Sequence, residues 1–480
     1  MILYLTLVIL AATCMRLAFT YRAPVFIRQD SIGYFQAAYE LAHGLDADIP
    51  IRRTPGYPLF LAATIWAVGE DFHSIALIQH MLGIITAGLA FLLGKQLFSP
   101  LAGLVAGMLV ALSGPLIIYE HYLMSESLFT LFITAGIWLA VRGIQRRSYA
   151  WLALAGMSVG LAYQARPVGG AIIPIIALSA MLLRGTIRER GLRGTAVLSG
   201  FALILLPVFI LSQLNATDAT PALGQTLYGR FVRHDERIVY PSPDSPAPFD
   251  NPDRVAARRL ILQAAARDLR PSVVNHRLRE SLGLTPKQAD QALRDFALEL
   301  VTTQTDRYIL GSYNKARAIL LGEVEKLGFH WNSRVDREMR ESWQSNASIA
   351  HVLTPPTNIQ RREQPVTEML LRVFQPAQHR LVLSILLVIG LLAGFVRTAS
   401  RPGWMIPLAT LAMVIPSALL VGQVPRYRYP ADPMLAALIG GGVASILWVA
   451  GFAWTRLRGS RKPQAPELTP ASAIPFTGWR

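Results

Sequence analysis

Residues 57–69 read Tyr57-Pro58-Leu59-Phe60-Leu61-Ala62-Ala63-Thr64-Ile65-Trp66-Ala67-Val68-Gly69, and whether this run crosses a bilayer decides the orientation of everything after it. It is apolar but well short of the about twenty residues that a spanning helix needs, so a re-entrant or interfacial piece is expected. Charge tests that reading. If 57–69 does not cross, one side of the membrane receives Lys95, Arg142, Arg146, Arg147, Arg184, Arg188, Arg190, Arg193, Arg397, Arg401, Arg456, Arg458, Arg461 and Lys462 near span ends. The other side, its one long domain aside, receives half as many: Arg22, Arg28, Arg52, Arg53, Arg166, Arg426 and Arg428. Short cytoplasmic loops carry the excess of Lys and Arg. Both termini are therefore expected in the cytoplasm, with the stretch before residue 57 on the outer face.

Apolar runs at 2–20, 74–97, 101–119, 123–142, 150–164, 167–183, 194–214, 381–397, 403–422 and 433–455 predict about ten transmembrane helices. The 480-residue chain is 52% hydrophobic and 16% charged, where soluble domains are about 25% charged. Its net charge of +16 falls mainly between the apolar runs, which suits positive-inside topology rather than a nucleic-acid partner. No basic n-region and no small-residue cleavage site precede Arg22, so the first run is expected to be an uncleaved anchor. Cys14 is the single cysteine, which excludes a disulfide framework within one chain.

The expected fold is an all-α polytopic membrane bundle. Residues 1–214 form a transmembrane module with a first outer loop at 21–73, and 215–379 a mainly helical outer domain between spans seven and eight. Residues 380–456 carry the last spans and 457–480 a cytoplasmic tail. Within the outer domain, Pro241-Ser242-Pro243-Asp244-Ser245-Pro246-Ala247-Pro248 cannot be regular structure. Thr285-Pro286-Lys287-Gln288 has the capping-box pattern of a helix start.

The outer loops hold the unusual chemistry. In the first, Asp30 heads a run in which Ile32, Phe35, Ala38 and Tyr39 recur at helical spacing until Gly44, and Arg52, Arg53 and Tyr57 follow. Asp30 or Ser31 would also serve as the N-cap of that helix. The second loop is Tyr119-Glu120-His121-Tyr122, with Glu126 at the head of the next span, and the third is Gln164-Ala165-Arg166-Pro167. The last runs from Gln423 to Pro433 through Arg426-Tyr427-Arg428-Tyr429-Pro430. Singly, the arginines suit snorkelling anchors and the tyrosines an aromatic belt. Glu120 and His121 could ligate a divalent metal, but two adjacent ligands without a third partner in the sequence are a weak set, so the expectation is no cofactor, with a divalent metal there as the lesser alternative. Together, one acid opposite several arginines suits a reaction that needs a base and an anionic, lipid-tethered leaving group.

These residues carry a family resemblance. Asp30-Ser31-Ile32-Gly33-Tyr34 shortly after the first span, Arg53-Thr54-Pro55-Gly56-Tyr57-Pro58, Ser125-Glu126-Ser127-Leu128-Phe129, Ala165-Arg166-Pro167 and Arg426-Tyr427-Arg428-Tyr429-Pro430 together resemble the GT-C glycosyltransferases. Within them the chain looks most like the protein-mannosyltransferase and aminoarabinose-transferase clan, especially its lipopolysaccharide galacturonic-acid-transferase branch. The resemblance covers about residues 1–214 and the last three spans. It implies a GT-C-like bundle and an inverting transferase. The enzyme would move a sugar from a polyprenyl-phosphate donor to an envelope glycolipid, glycan or protein, on the outer, periplasmic face of a bacterial cytoplasmic membrane. Asp30 would be the general base. Arg53, with Arg52, Arg166, Arg426 and Arg428, would hold the donor phosphate, and Tyr57, His121, Glu126 and Glu120 would shape the sugar and acceptor pocket. Ser31 stands where many of the clan have Glu, and Arg53-Thr54 where many have Lys before the Pro. The soluble domain also lies earlier than in many relatives. These departures bear on the sugar and the acceptor.

Other classes make different demands. A transporter or flippase of a lipid-linked or anionic solute predicts ionisable groups buried mid-span and pseudo-repeated halves, and neither is read here. A structural or assembly subunit would act through the 215–379 domain, and an envelope acyltransferase through a histidine such as His121.

Overall fold

The computed structural model describes residues 2–22, 25, 27, 29–45, 54–214, 223–234, 237–246, 251–321, 345, 349, 352, 379–396, 402–421 and 427–459. Its regular elements among these residues are all helical. Helix α1 (Ile2–Arg22) is followed by α2 (Gln29–Ala42) and α3 (Gly56–Val68), the latter 13 residues long. At a rise of about 1.5 Å per residue such a helix is about 20 Å long, short of a hydrocarbon core of about 30 Å. Helix α2 packs on α3 and buries Ile32, Phe35 and Ala38, with the Phe35 ring edge-to-face on Phe72 of the helix that follows α3, and Gly44 takes the left-handed turn (φ +68°) after α2. Asp30 lies inside the first turn of α2 rather than at an N-cap before it, where a carboxylate still faces the positive end of the helix dipole.

Asp71 caps α4 (Phe72–Leu97), and Ser99 followed by Pro100 starts α5 (Pro100–Ala111). The expected single span at 101–119 is broken. Gly114 and Pro115 open α6 (Gly114–His121) at 49° to α5, because Pro115 has no N–H to continue the ladder. Then come α7 (Glu126–Arg146), α8 (Tyr149–Ala165), a 3₁₀ turn at Pro167–Ile172, α9 (Ile173–Met181) and α10 (Ile187–Leu214). Five helices follow: α11 (Leu223–His234), α12 (Pro252–Ala265), α13 (Pro271–Leu282), α14 (Pro286–Thr303) and α15 (Thr305–Leu321). The chain returns to apolar helices with α16 (Arg380–Val396), α17 (Met405–Leu420) and α18 (Asp432–Gly459).

Among the described residues six helices are long and apolar enough to cross a membrane, namely α1, α4, α7, α10, α17 and α18, or seven if the bent α5–α6 pair is one span. The chain is thus a multi-pass membrane protein, although this measure stops short of the ten expected spans. The remaining expected spans fall on α8 and α16, of 17 residues each, and on the 3₁₀–α9 segment. Seventeen residues are about 25 Å of helix, so these pieces need neighbours or a thinned bilayer to cross. Small residues bring such neighbours close. Gly156 and Gly200 set α8 directly against the backbone of α10, and Gly390 and Gly442 do the same for α16 and α18.

Helices α11–α14 enclose a second core of Tyr228, Phe231, Ile261, Leu278, Leu293 and Phe296. The capping box Thr285/Gln288 forms as its sequence predicts, and described residues 241–246 of the Pro-rich stretch hold no helix or strand. The Asp290 carboxylate accepts the Gly224 and Gln225 amides at 3.0 Å each and seats the start of α11 on α14. Buried Arg230 donates from Nε to the Ala418 carbonyl at 3.1 Å, joining this helical group to the end of α17.

Candidate active site

The loops expected on the outer face meet through two chains of contacts. The first begins at Tyr57, fully buried in α3 with its ring edge-to-face on Tyr34 of α2 (4.9 Å between centroids). Its hydroxyl donates to Gln79 Oε1 of α4 at 2.8 Å. The Gln79 amide in turn donates to the carbonyls of Glu120 and Tyr122 at 2.9 and 2.8 Å, fixing the turn that ends α6. One residue before Glu120, the Tyr119 ring lies 5.3 Å from Tyr429 of the loop between α17 and α18. The second chain runs from Glu126 at the head of α7 to Arg166 at the end of α8 (Oε1 to Nη1, 2.5 Å). Arg166 lies 5.1 Å over the Tyr427 ring of that same last loop.

Beneath the first chain is a buried polar array. Arg16 of α1 is 1% exposed, Glu120 4%, His80 2% and His121 0%. Arg16 donates through Nε and Nη2 to both oxygens of Glu120, each at 2.7 Å, and through Nη1 to the Ala12 and Ala111 carbonyls. His80 Nδ1 lies 2.9 Å from Glu120 Oε2, and His80 Nε2 3.0 Å from His121 Nδ1. Phe19 closes the array edge-on to the His121 ring at 5.0 Å. Glu120 and His121 therefore face inward, and the expectation that no ionisable group is buried within a span does not hold for Arg16 and His80. Among the described residues, no group of three or more His, Cys, Asp or Glu side chains is placed to hold a metal.

Arg428 and Asp432 form the third feature. Arg428 donates from Nε to Asp432 Oδ1 at 2.9 Å and from Nη1 to the Leu320 carbonyl at 3.2 Å. Both line a cleft of about 960 Å³ between α5, α16, α17 and α18. Its walls are apolar, with Leu109, Leu116, Leu383, Leu387, Leu411 and Leu435 among them. Its charged lining side chains, Arg380, Arg428 and Asp432, all stand where α16 and α18 begin, so charge gathers at one end of an oily groove.

Asp30 is half-buried in the first turn of α2, beside fully buried Ser31 and one turn before Tyr34, whose ring meets Tyr57. Arg52, Arg53 and Arg426 lie outside the described residues. Of the expected phosphate ligands, Arg166 and Arg428 each carry a carboxylate partner, which a phosphate would have to share or displace. Reading the sequence missed Arg16, Gln79, His80 and Asp432. The signal available for the first three was a polar side chain inside an apolar run, which is a functional-site candidate by default.

Comparison with known proteins bears out the GT-C resemblance over part of the chain. Residues 52–212, about a third of the sequence, match the family model for dolichyl-phosphate-mannose-protein mannosyltransferase. No curated protein matches. Among solved structures, the archaeal oligosaccharyltransferase AglB from Archaeoglobus fulgidus, in complex with an inhibitory peptide and a dolichol-phosphate, is 14% identical with a TM-score of 0.48. That superposition covers 96% of this chain and 52% of AglB, so the chain spans about half of AglB's length. ArnT from Cupriavidus metallidurans bound to undecaprenyl phosphate is 13% identical, with a TM-score of 0.39, covering 97% of this chain and 81% of ArnT. The Archaeoglobus enzyme in complex with Zn and sulfate is 12% identical, with a TM-score of 0.46 and coverages of 95% and 51%.

Proposed function

We propose that the protein is an integral-membrane glycosyltransferase that moves a sugar from a polyprenyl-phosphate donor to a hydroxyl of an envelope glycolipid, glycan or protein. The observation that carries this reading is the cleft: apolar walls suited to a lipid chain, ending at Arg380, which opens α16, and Arg428, four residues before α18 begins, two cations that suit a phosphate. The family-model match over 52–212 supports the same class.

In this reading the Asp30 carboxylate takes the proton of the acceptor hydroxyl as its oxygen attacks the anomeric carbon. The bond from that carbon to the phosphate oxygen breaks, and its electron pair leaves with the carrier phosphate, so the configuration inverts. Arg428 and Arg166, with Arg52, Arg53 and Arg426 from outside the described residues, stabilise the departing charge. Tyr57 and Glu126 hold the loops that frame the sugar, with Glu120 and His121 supporting them from beneath. Residues 1–214 and 380–456 form the catalytic bundle and 215–379 an outer domain. Both termini lie in the cytoplasm, and the site faces the periplasm from a bacterial inner membrane. The buried Arg16–Glu120–His80 array is the feature that would suit a transporter. Each Arg16 nitrogen and both Glu120 oxygens are engaged internally, which suits a rigid support better than a carrier site.

The test is Asp30→Asn, which removes basicity and nearly keeps shape. Transfer should be lost while donor binding persists, and wild-type turnover by the variant would sink the assignment. Mass spectrometry of envelope lipids with and without the gene should reveal a sugar-sized mass difference and an accumulating polyprenyl-linked donor.

A further inference from the structure

Helix α15 has two faces. Its inner face holds Ser312, Lys315, Ala318 and Ile319, all buried. Its outer face carries Ile309 (60% exposed), Leu310 (53%), Tyr313 (62%) and Leu320 (37%). At 3.6 residues per turn, Ile309, Leu320 and Tyr313 fall within about 40° of one another, and Leu310 flanks them. Isolated exposed apolar residues need no explanation, but a stripe of this kind on one helix does.

The neighbours of α15 say what covers it. Tyr308 donates its hydroxyl to the carbonyl of Leu419 in the last turn of α17 at 3.2 Å. Eleven residues on, Ile319 packs against Ala418, next to Leu419, and against Val414, about one turn further into that span. Arg428, just beyond the end of α17, donates to the Leu320 carbonyl at 3.2 Å, so both ends of α15 lie at the same end of that membrane helix. Leu320 then shares the cleft wall with Val382 of α16 and Leu411 of α17, two apolar residues that are themselves exposed on spanning or near-spanning helices. The stripe is therefore continuous with the surface that the apolar helices offer to lipid. Exposed Arg317 stands beside it, a cation on an apolar face with an aromatic neighbour, which is the composition of a helix lying in a headgroup layer.

We propose that α15 is an interfacial helix whose Ile309–Tyr313–Leu320 face is immersed in the outer leaflet, so that the helical group 223–321 sits on the membrane surface beside the cleft. This rests on the multi-pass reading and, for the choice of leaflet, on the proposed orientation, and not on the transferase assignment. It makes the bilayer, rather than a second protein, the occupant of the stripe.

The experiment is site-directed spin labelling of the full chain in vesicles of phosphatidylethanolamine and phosphatidylglycerol, in a Cys14→Ser background. Ile309→Cys, Leu310→Cys and Tyr313→Cys carry the nitroxide one at a time, and Arg277→Cys on an exposed position of α13 is the aqueous reference. These exposed positions leave the core untouched, and each variant is accepted only if its thermal unfolding matches the parent. The ratio of oxygen to nickel-chelate collision rates at Ile309 and Tyr313 should exceed that at Arg277 several-fold. A ratio equal to the reference would place the stripe in water and overturn the proposal. An immobilised label shielded from both reagents would mean that a protein covers it, and would overturn the proposal equally.

Discussion

Arg16 of α1 and Glu120 of α6, 104 residues apart, face each other through two parallel hydrogen bonds of 2.7 Å with almost no exposure to solvent or lipid. Such a pair is specific more than it is stabilising, because desolvation of both charges offsets much of their attraction. Removing one partner is a different matter. Glu120→Ala strands the Arg16 guanidinium and removes the acceptor of His80, and should cost about 3–5 kcal/mol. The paired change Arg16→Met with Glu120→Leu should recover a large part of that loss. Thermal and denaturant unfolding of the purified protein in detergent reads both, and equal losses for the single and paired variants would show that the pair is not the unit that matters.

Gly83 of α4 leads to a prediction of unusual sign. A Cβ built there collides with the Glu120 carboxyl group, all three of its nearest atoms belonging to that side chain. In an open helix Gly→Ala gains about 1 kcal/mol. Gly83→Ala should instead lose about 1–3 kcal/mol, since the carboxylate must leave Arg16 and His80 or the helices must part. Gly451 of α18, where an added Cβ would meet nothing within 4 Å, serves as the contrast, and Gly451→Ala should be neutral or stabilising. The same unfolding assay compares the two, and a stabilised Gly83→Ala would contradict the packing described for Glu120.

Why the sequence revealed some of this arrangement and hid the rest follows from what each feature needs. An apolar helix declares itself over about twenty residues, so α1, α4, α7, α10, α17 and α18 were legible, as was the refusal of α3 to reach that length. The break at Ser113-Gly114-Pro115 was written in the chain as well, but it lies inside a continuous apolar run as long as a single span. The loops joined by Glu126–Arg166 and by Tyr119–Tyr429 could be assembled because topology placed them on one face. Arg16, Gln79 and His80 could not. Their partners lie 104, 41 and 40 residues away, and nothing in local periodicity records a partner at that distance. Asp432 was hidden for the opposite reason, since an acid one turn after Arg428 passes for the ordinary start of a helix.

Asp71 gives a pH-dependent outcome. Its partial burial raises the carboxyl pKa, but the Ser74 hydroxyl (2.7 Å) and the Ser74 and His73 amides outweigh this and hold it below the usual carboxylate value. A folded-state pKa below the unfolded one adds stability above the unfolded pKa of about 3.9, and that stability is lost as pH falls through the folded value. Asp71→Ala should remove the cap and cost about 1 kcal/mol near neutral pH. Asp71→Asn keeps the cap but not the charge, so its deficit should be smaller, should shrink as pH falls from about 4, and should vanish only below the folded-state value. Unfolding midpoints across that range decide it, and a deficit for Asn that grows on acidification would mean the sign is wrong.

Arg428 and Asp432 connect the cleft to the chemistry. In the structure the guanidinium is held by a carboxylate that also faces the cleft, and among the described residues the buried Asp432 Oδ2 atom meets no hydrogen-bond partner. In the proposed reading a carrier phosphate arriving at Arg428 therefore competes with Asp432. Arg428→Ala should weaken donor binding by about 1.5–3 kcal/mol, roughly 10- to 150-fold, the range for a hydrogen bond to a charged group. Asp432→Asn should act in the other direction on binding, lowering the donor KM because the competing charge is gone. It should not raise kcat in proportion, since the same arginine is then less restrained when the leaving group departs. Steady-state kinetics with a polyprenyl-phosphate sugar separates the two effects. A donor KM that rises in Asp432→Asn as it does in Arg428→Ala would mean that Asp432 serves only to hold the arginine in place and does not compete for it.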